Sequence, residues 1–146
     1  MIKTRGVVHF SIPVTDLVRS RDFYWQKLGM SPIFEDESVG MAFLDCAGDC
    51  IVLVRVDRPI STAQVRAVHH AFLVDHDKYR AAVEELKNIG TRYHSEENRQ
   101  DGVIDGPRAY FEDPDGNMLE IIDLNFYAGA RLDTVVGVRR RSPQKL

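Results

Sequence analysis

The 146-residue sequence lacks the features that mark several common classes of protein. It has two cysteines, Cys46 and Cys50, too few for a disulfide framework or, by themselves, for a zinc site. No stretch approaches the ~18 consecutive apolar residues of a membrane span, and the first residues lack the apolar core of a signal peptide. We therefore predict a cytoplasmic protein with no membrane partner.

Basic charge is not concentrated on the body of the chain. The net charge is -3, from 22 acidic and 19 basic residues, and the one basic run, at positions 139–141, follows the last apolar segment. Nucleic-acid binding needs a clustered basic surface. We therefore expect no nucleic-acid partner and interpret the basic run as part of a solvated tail.

The length and composition fit one domain. With 44% hydrophobic residues, a chain of this size can bury one sizeable core, or two small halves packed together. We predict a single domain over residues 1–146. It would comprise module one at about 5–57, module two at about 66–125 and a C-terminal tail at 126–146.

Each half of the chain shows the same order of patterns. An apolar run rich in β-branched residues, at 7–14 and again at 68–74, precedes helix-capping residues and then apolar positions at helical spacing. The capping residues are Thr15-Asp16 in the first half and Asp75 or Asp77 in the second. Gly29 and Gly90 stand where these helices would end, and three further strand-like runs follow in each half. The sequence therefore predicts an α+β fold of two βαβββ modules. Their four-stranded sheets would pair around a concave cleft, with the helices outside.

Three chemically suggestive residues occupy related places in the two modules. His9 and His69 each begin the first strand of a module, 60 residues apart, and Glu120 lies in the last strand. The counterpart of Glu120 in module one is Val52, so the pattern supplies three ligands rather than four. Two histidines and one carboxylate form a facial metal site with open positions. The sequence therefore predicts a divalent metal ion bound by His9, His69 and Glu120.

The neighbouring histidine, His70, is an alternative to His69. Aligning Val74 with Val14 selects His69, and His70 would then lie on the opposite face of the strand unless a bulge intervened. Structural roles are a further alternative for all three ligands. A histidine in an apolar strand can be a hydrogen-bonded core residue, and a glutamate in a half-buried strand can face solvent.

Four segments carry a family resemblance: HFSIPVTDL at 9–17, FYWQKLG at 23–29, HHAFLV at 69–74 and FEDPDGNMLE at 111–120. Together they resemble the vicinal oxygen chelate superfamily, which includes glyoxalases, extradiol dioxygenases, fosfomycin resistance proteins and bleomycin-binding proteins. The resemblance covers nearly all of residues 5 to 125. It implies metal ligands at the positions of His9, His69 and Glu120.

The resemblance also implies which members are the better guides. Glyoxalase and epimerase members have a fourth ligand at the position of Val52, which valine cannot supply. Three-ligand members remain, chiefly dioxygenases with iron or manganese and fosfomycin-type enzymes with manganese. Tyr110 resembles a tyrosine that hydrogen-bonds substrate in both groups, and Ser11 resembles a threonine that activates the substrate oxygen in fosfomycin-type enzymes. Tyr110 and Ser11 are therefore our candidate catalytic residues, although Tyr110 could instead be a cross-strand aromatic.

Two features of the family are not clearly reproduced. Ring-cleaving dioxygenases usually place an acid-base histidine shortly before the tyrosine, and residues 98–109 contain none. The basic cluster that binds a phosphonate in fosfomycin-type enzymes has Arg99 and Arg108 as its candidates here.

We expect a metal-dependent enzyme that acts on a small substrate chelated through neighbouring oxygens. A dioxygenase-like reaction is the leading expectation. The alternatives are a fosfomycin-type lyase or transferase and a metal-free small-molecule binding protein of the bleomycin-resistance type. Iron or manganese is the expected cofactor, with zinc, nickel or cobalt as further options. Relatives commonly dimerise, so we expect a homodimer. Its modules would pair within one chain or be exchanged, with His9 from one subunit and His69 and Glu120 from the other.

Overall fold

A computed structural model describes residues 1–3, 6–62 and 67–127, and of residues 126 and 127 it describes the backbone. Most of the predicted tail, residues 128–146, lies outside this range. The elements in chain order are β1 (His9–Val14), α1 (Leu17–Gln26), β2 (Ser31–Asp36), β3 (Met41–Cys46), β4 (Asp49–Arg55), β5 (His70–Leu73), α2 (Tyr79–Lys87), β6 (Tyr93–Arg99), β7 (Ile104–Glu112), β8 (Met118–Ile122) and β9 (Phe126–Tyr127).

The predicted α+β class and the two βαβββ modules are confirmed. The first sheet has the strand order β1-β4-β3-β2, and the second has the equivalent order β5-β8-β7-β6, with β9 added beside β7. In each sheet the first and last strands of the module are parallel neighbours. Two copies of the same order of strands and helix therefore form two sheets of the same topology.

The chain divides into two compact units that do not quite follow the order of the modules. One unit comprises Met1–Gln64 with Asp113–Asn117, and the other comprises Val65–Glu112 with Met118–Leu146. The division after residue 64 lies close to the predicted start of module two at about 66. The turn at Asp113–Asn117 is the exception, because it belongs to the first unit.

In the first unit, one face of the sheet packs against α1. Ile12 and Val14 of β1 are fully buried, as the alternation of the strand predicts, whereas Phe10 on the same face remains about half exposed. Asp16 caps the helix by accepting a hydrogen bond from the backbone N–H of Arg19 at 2.9 Å. The helix therefore begins where the sequence predicts, immediately after Thr15-Asp16.

The turn at Asp113–Asn117 is held by buried polar contacts in the first unit. The Tyr24 hydroxyl donates a hydrogen bond to Asp113 Oδ2 at 2.9 Å, and the Asn117 side-chain amide donates to the carbonyl of Pro13 at 2.9 Å. Burial raises the pKa of Asp113. Buried polar groups are stable when paired, so this turn contributes a polar core to the unit as well as linking β7 to β8.

In the second unit, α2 covers one face of the sheet with Tyr79, Val83 and Leu86, all buried. We predicted Asp75 or Asp77 as its cap, and this was wrong: the capping position is Lys78, which makes no capping hydrogen bond with its side chain. The helix begins later than the acidic residues because the chain first makes a turn in which Asp75 supplies its backbone carbonyl rather than its carboxylate.

The hairpin of β6 and β7 is longer than the sequence pattern indicates. Apolar runs predict strands at 91–94 and 108–112, whereas the ladder extends over Tyr93–Arg99 and Ile104–Glu112. The added part is rich in charged residues and has no apolar alternation, so pairing with β7 stabilises it as a strand. The start of the predicted tail also forms a short strand, since Phe126 and Tyr127 pair with Asp105 and Ile104.

In the described ranges no helix is both long and apolar enough to cross a membrane.

The close approach at Gly106 generates a prediction. Gly106 has φ +139°, and a Cβ there would lie 1.9 Å from the carbonyl oxygen of Asp123. Because that neighbour is backbone, Gly106→Ala should lower the free energy of unfolding by about 3 kcal/mol. Urea denaturation would measure the change.

Gly90→Ala is the matched control in the same unit. Gly90 also has a positive φ, +90°, but nothing lies within 4 Å of the position that its new methyl group would occupy. This substitution should cost only about 1 kcal/mol, because a residue with a side chain is disfavoured in the left-handed conformation. Equal losses for the two substitutions would contradict the steric argument.

Candidate metal centre

Glu120 is a buried carboxylate in the middle of β8. Its side chain is 3% exposed, and its Oε2 lies 3.2 Å from His69 Nε2. His69 directly precedes β5, which runs parallel to β8, so the two side chains project from neighbouring strands on one face. The structure therefore brings together two of the three predicted ligands.

The pairing register of the two sheets relates these residues to the first module. Ala71 pairs with Glu120 in β5 and β8, as Ser11 pairs with Val52 in β1 and β4. Counting back two residues from Ser11 and Ala71 gives His9 and His69 as equivalent positions. The structure thus gives the same equivalence of His9 and His69 that the sequence alignment predicts. His70 pairs with Leu119 and lies on the opposite face of the strand.

The second oxygen of Glu120 faces a buried arginine. Arg108 Nη1 lies 3.5 Å from Glu120 Oε1, and the two side chains are 5% and 3% exposed. The guanidinium is anchored by donating hydrogen bonds to the carbonyls of Ile104 and Gly106, at 2.9 and 3.3 Å. A buried carboxylate needs such compensation, and Arg108 supplies it on the side away from His69.

Tyr110 lies next to this pair. It is opposite Glu120 in the β7–β8 ladder, and its ring meets the His69 ring edge-on, with centroids 5.9 Å apart. Its hydroxyl donates a hydrogen bond to Glu97 Oε1 at 3.0 Å. Burial first, then the negative charge of Glu120 and hydrogen bonding to Glu97, raise the pKa of Tyr110 to about 12. The hydroxyl is therefore a proton-bearing donor at neutral pH.

His9 and Ser11 belong to the other unit. Both lie on β1 and are exposed there, and Val52, which pairs with Ser11, is buried. A valine has no atom that can bind a metal ion, as the sequence already indicates. Because His9 lies in a different unit from His69 and Glu120, its part in a metal site stays a prediction.

The geometry of His69 and Glu120 fits a shared metal ion. Two ligand atoms that each lie about 2.1 Å from an ion, at right angles to each other, are about 3 Å apart. Nε2 of His69 and Oε2 of Glu120 are at 3.2 Å. Among the described residues, no three His, Cys, Asp or Glu side chains lie close enough together to hold an ion. The second unit therefore offers a pair of ligands that needs a third.

Two other histidines of the second unit also contact carboxylates. His76 Nδ1 lies 2.8 Å from Asp123 Oδ2, and the side chain is mostly exposed, which its polar context near the start of α2 predicts. His94 Nε2 lies 2.7 Å from Glu112 Oε1, and both side chains are largely buried. The polar context of His94, at the end of a strand-like run, predicts a surface residue, and this is wrong: His94 lies on the face of the sheet that carries Glu112, where its imidazole meets that carboxylate.

Sequence reasoning missed Glu97 and the contact of Arg108 with Glu120. Arg108 was singled out as a candidate for anion binding, and it instead pairs with a carboxylate. Glu97 lies in the charged part of β6, where no apolar alternation marks a strand. The ladder, in which Glu97 pairs with Arg108 and Ser95 with Tyr110, reveals that these side chains share a face.

The fold agrees with comparison to known proteins. The family model described as Glyoxalase/Bleomycin resistance protein/Dioxygenase superfamily matches residues 6–121. Because the match spans most of the sequence, the chain belongs to this superfamily.

Several solved structures share the fold. An integron cassette protein from the mobile metagenome of the Halifax Harbour sewage outfall is 24% identical, with a TM-score of 0.69 over 83% of this chain and 100% of its own. A glyoxalase/bleomycin resistance protein/dioxygenase from Alicyclobacillus acidocaldarius is 25% identical, with a TM-score of 0.66 over 85% and 95%.

The fosfomycin resistance protein FosX from Listeria monocytogenes is another relative of known structure. A point mutant of it, complexed with Mn(II) and 1S,2S-dihydroxypropylphosphonic acid, is 23% identical, with a TM-score of 0.69 over 89% of this chain and 94% of its own. At this identity the likeness establishes the fold.

Proposed function

We propose that this protein is a metal-dependent enzyme of the vicinal oxygen chelate type. His9, His69 and Glu120 would bind a divalent ion, and the substrate would be a small molecule with two neighbouring oxygens. One observation carries the proposal: the buried Glu120 carboxylate directs Oε2 at His69 Nε2, 3.2 Å away, while Arg108 holds its other oxygen. A buried carboxylate beside an imidazole, with one oxygen turned towards it, is arranged for a cation.

The residues of the chain have distinct parts in this proposal. When bound, a divalent ion polarises the oxygens that coordinate it and stabilises negative charge that develops on them. Arg108 fixes the orientation of Glu120 through its own backbone hydrogen bonds. Tyr110, next to His69 and Glu120, would hydrogen-bond a substrate oxygen, and Ser11, two residues after His9, would contact the substrate from the first module.

The third ligand would complete the site in a homodimer. Each unit of the chain has its own buried core. A module could therefore pair with the other module of its own chain or with that of a partner. We propose the exchanged arrangement, with His9 from one subunit and His69 and Glu120 from the other.

Two reaction classes fit such a site. Two histidines and a carboxylate with open positions are typical of non-haem iron oxygenases, which favours a dioxygenase-like reaction with iron or manganese. The stretch at 98–109, shortly before Tyr110, contains no histidine to serve as an acid-base group, and this favours a fosfomycin-type reaction with manganese. A metal-free binding protein is the alternative outside enzymes.

Metal binding tests the proposal directly. The wild-type protein, stripped with chelator and titrated with Mn(II), should bind about one ion per chain, as measured by the loss of the free Mn(II) EPR signal. Glu120→Ala and His69→Ala should each weaken binding at least ~100-fold, because each removes a ligand.

Two control variants make this result specific. Glu112→Ala removes a glutamate that also contacts a histidine, His94, and should bind Mn(II) as the wild type does. His70→Ala should do the same, because His70 lies on the other face of β5. Failure of the wild type to bind any divalent ion would favour the metal-free alternative. Loss of binding in His70→Ala but not in His69→Ala would reverse the ligand assignment.

Mixing two inactive variants tests the exchanged arrangement. His9→Ala and Glu120→Ala, carrying different affinity tags, would be refolded together and the doubly tagged dimer isolated. In an exchanged dimer, one of the two sites then has all three ligands and the other has lost two of them. The doubly tagged species should therefore bind half as much Mn(II) as the wild type, while each parent binds none. No binding by the mixed dimer would show that the ligands come from one chain.

Substrate assays separate the reaction classes. Fe(II)-loaded protein should consume oxygen when given catechol, measured with an oxygen electrode, and Glu120→Ala should not. Mn(II)-loaded protein with fosfomycin and either water or a thiol would be followed by ³¹P NMR. A shifted phosphonate signal without oxygen uptake from catechol would contradict the dioxygenase-like reaction and support the fosfomycin-type one.

A further inference from the structure

The Tyr110 hydroxyl lies between two carboxylates. Glu97 Oε1 accepts its hydrogen bond at 3.0 Å, and the carboxylate of Glu120, opposite Tyr110 in the ladder, is a second acceptor, whose hydrogen bond raises the pKa of the tyrosine less than that of Glu97 does. A phenol has one proton to donate, whereas its oxygen has lone pairs that accept. How that proton is used decides what kind of substrate atom Tyr110 can face.

The hydrogen-bond partners of Glu120 indicate why the proton goes to Glu97. Arg108 faces Oε1 of Glu120 and His69 faces Oε2, so at each oxygen of this buried group the hydroxyl would compete with a cationic or imidazole neighbour. Glu97 is more exposed, and its carboxylate can only accept. A hydroxyl directed at Glu97 also leaves Glu120 available to the proposed metal ion.

Arg99 does not displace Tyr110 from Glu97. Its Nη2 donates to the same Oε1 at 3.0 Å, and Arg108 Nε lies 3.9 Å from it. A carboxylate oxygen accepts two hydrogen bonds, so Tyr110 and Arg99 are both accommodated. The two arginines therefore hold the Glu97 carboxylate in place beside the tyrosine.

We propose that Glu97 is a positioning residue that takes the hydrogen bond of Tyr110 and so makes Tyr110 an acceptor towards the bound substrate. Such a site selects a substrate whose metal-binding oxygen is a hydroxyl, as in a catechol, a vicinal diol or a 2-hydroxy acid. A ketone or an epoxide, whose oxygen only accepts, would meet a lone pair, so of the two reaction classes this arrangement fits the dioxygenase-like one. The inference rests on the proposed function, because it concerns a substrate bound next to Glu120.

Two ligands that differ at this oxygen and its carbon provide the test. Mandelate and phenylglyoxylate have the same carbon skeleton and charge and chelate through a carboxylate oxygen and the neighbouring oxygen, which is a hydroxyl in the first and a ketone in the second. Their dissociation constants would be measured by water-proton relaxation on Mn(II)-loaded protein. The readout is the ratio of the two constants, which cancels the common effect of a variant on metal and carboxylate binding.

The wild type should prefer mandelate. Tyr110→Phe should reduce the preference about threefold to tenfold by weakening mandelate, because the ring stays while the acceptor goes. Glu97→Ala should also reduce the preference by a similar factor, but by strengthening the binding of phenylglyoxylate rather than weakening that of mandelate. The freed hydroxyl can then donate to the ketone. In the Tyr110→Phe background, Glu97→Ala should have no further effect.

Glu96→Ala is the matched control. Glu96 is the neighbouring acid on the same strand, pairs with Ala109 in the ladder and contacts Arg80 and Lys87 rather than Tyr110. It should keep the wild-type ratio. A change as large as that in Glu97→Ala would mean that lost negative charge, rather than hydrogen-bond direction, causes the effect, and would overturn the inference.

The remaining outcomes separate this inference from the proposed function. If the wild type binds Mn(II) and the ratio is the same in the wild type, Glu97→Ala and Tyr110→Phe, the role of Glu97 is wrong while the metal site stands. If the wild type binds no divalent ion, the proposed function is wrong and this inference falls with it.

Discussion

The burial of the Glu120 carboxylate is the constraint on which the second unit is organised. Removing an ionised carboxylate from water costs several kcal/mol unless other groups compensate for it, and Glu120 is 3% exposed in the middle of a strand. Arg108 compensates from one side, and it is itself held by two backbone carbonyls of its own strand. Tyr110 and His69 border the other side. A protein that needed only a stable core would place an apolar residue here, as the first module does with Val52.

The contrast between Glu120 and Val52 shows how a duplicated fold acquires an asymmetric site. The register is the same in both sheets, with Ser11 opposite Val52 and Ala71 opposite Glu120. The backbone therefore provides two equivalent positions, and a side chain able to bind a cation is present at one. Burying that charge lowers the stability of the second unit, and the residues that compensate for it lie in the same unit. The repeated backbone determines the two positions at which a ligand residue can lie. The charges around each position determine which of the two can hold a buried carboxylate.

The repeat, the fold class and the equivalence of His9 and His69 could be predicted from the sequence because they depend on periodicity. Apolar alternation in β1 and β5 and the spacing of Gly29 and Gly90 are local signals that survive into the structure. The outer parts of β6 and β7 could not be predicted in the same way. Their residues are charged or polar, and pairing with a neighbouring strand, a long-range interaction, makes them strands.

The same limit applies to the candidate site. His69 and Glu120 are recognisable ligand types in apolar runs, so the sequence alone suggests them. Glu97 carries no such mark: it is one of several acidic residues in a polar stretch. Its significance depends on the bulge and register of β6, which put it on the same face as Arg108 and Tyr110. The polar context of His94 also predicts a surface position, because its buried contact is with Glu112 on the neighbouring strand, which the local sequence does not reveal.

The position of Glu97 has a consequence for how such a site can change its chemistry. In the second sheet β6 is the terminal strand of the order β5-β8-β7-β6. Its exposed residues make few packing contacts that a substitution would disturb. Substitution there alters the hydrogen bonds offered to Tyr110 while leaving Glu120, Arg108 and the core of β7 and β8 intact. If the site binds a metal ion as proposed, one framework can thus present either a donor or an acceptor to its substrate. The fold hosts many reactions, and an edge strand next to a fixed tyrosine is a place where that choice can be made with little loss of stability.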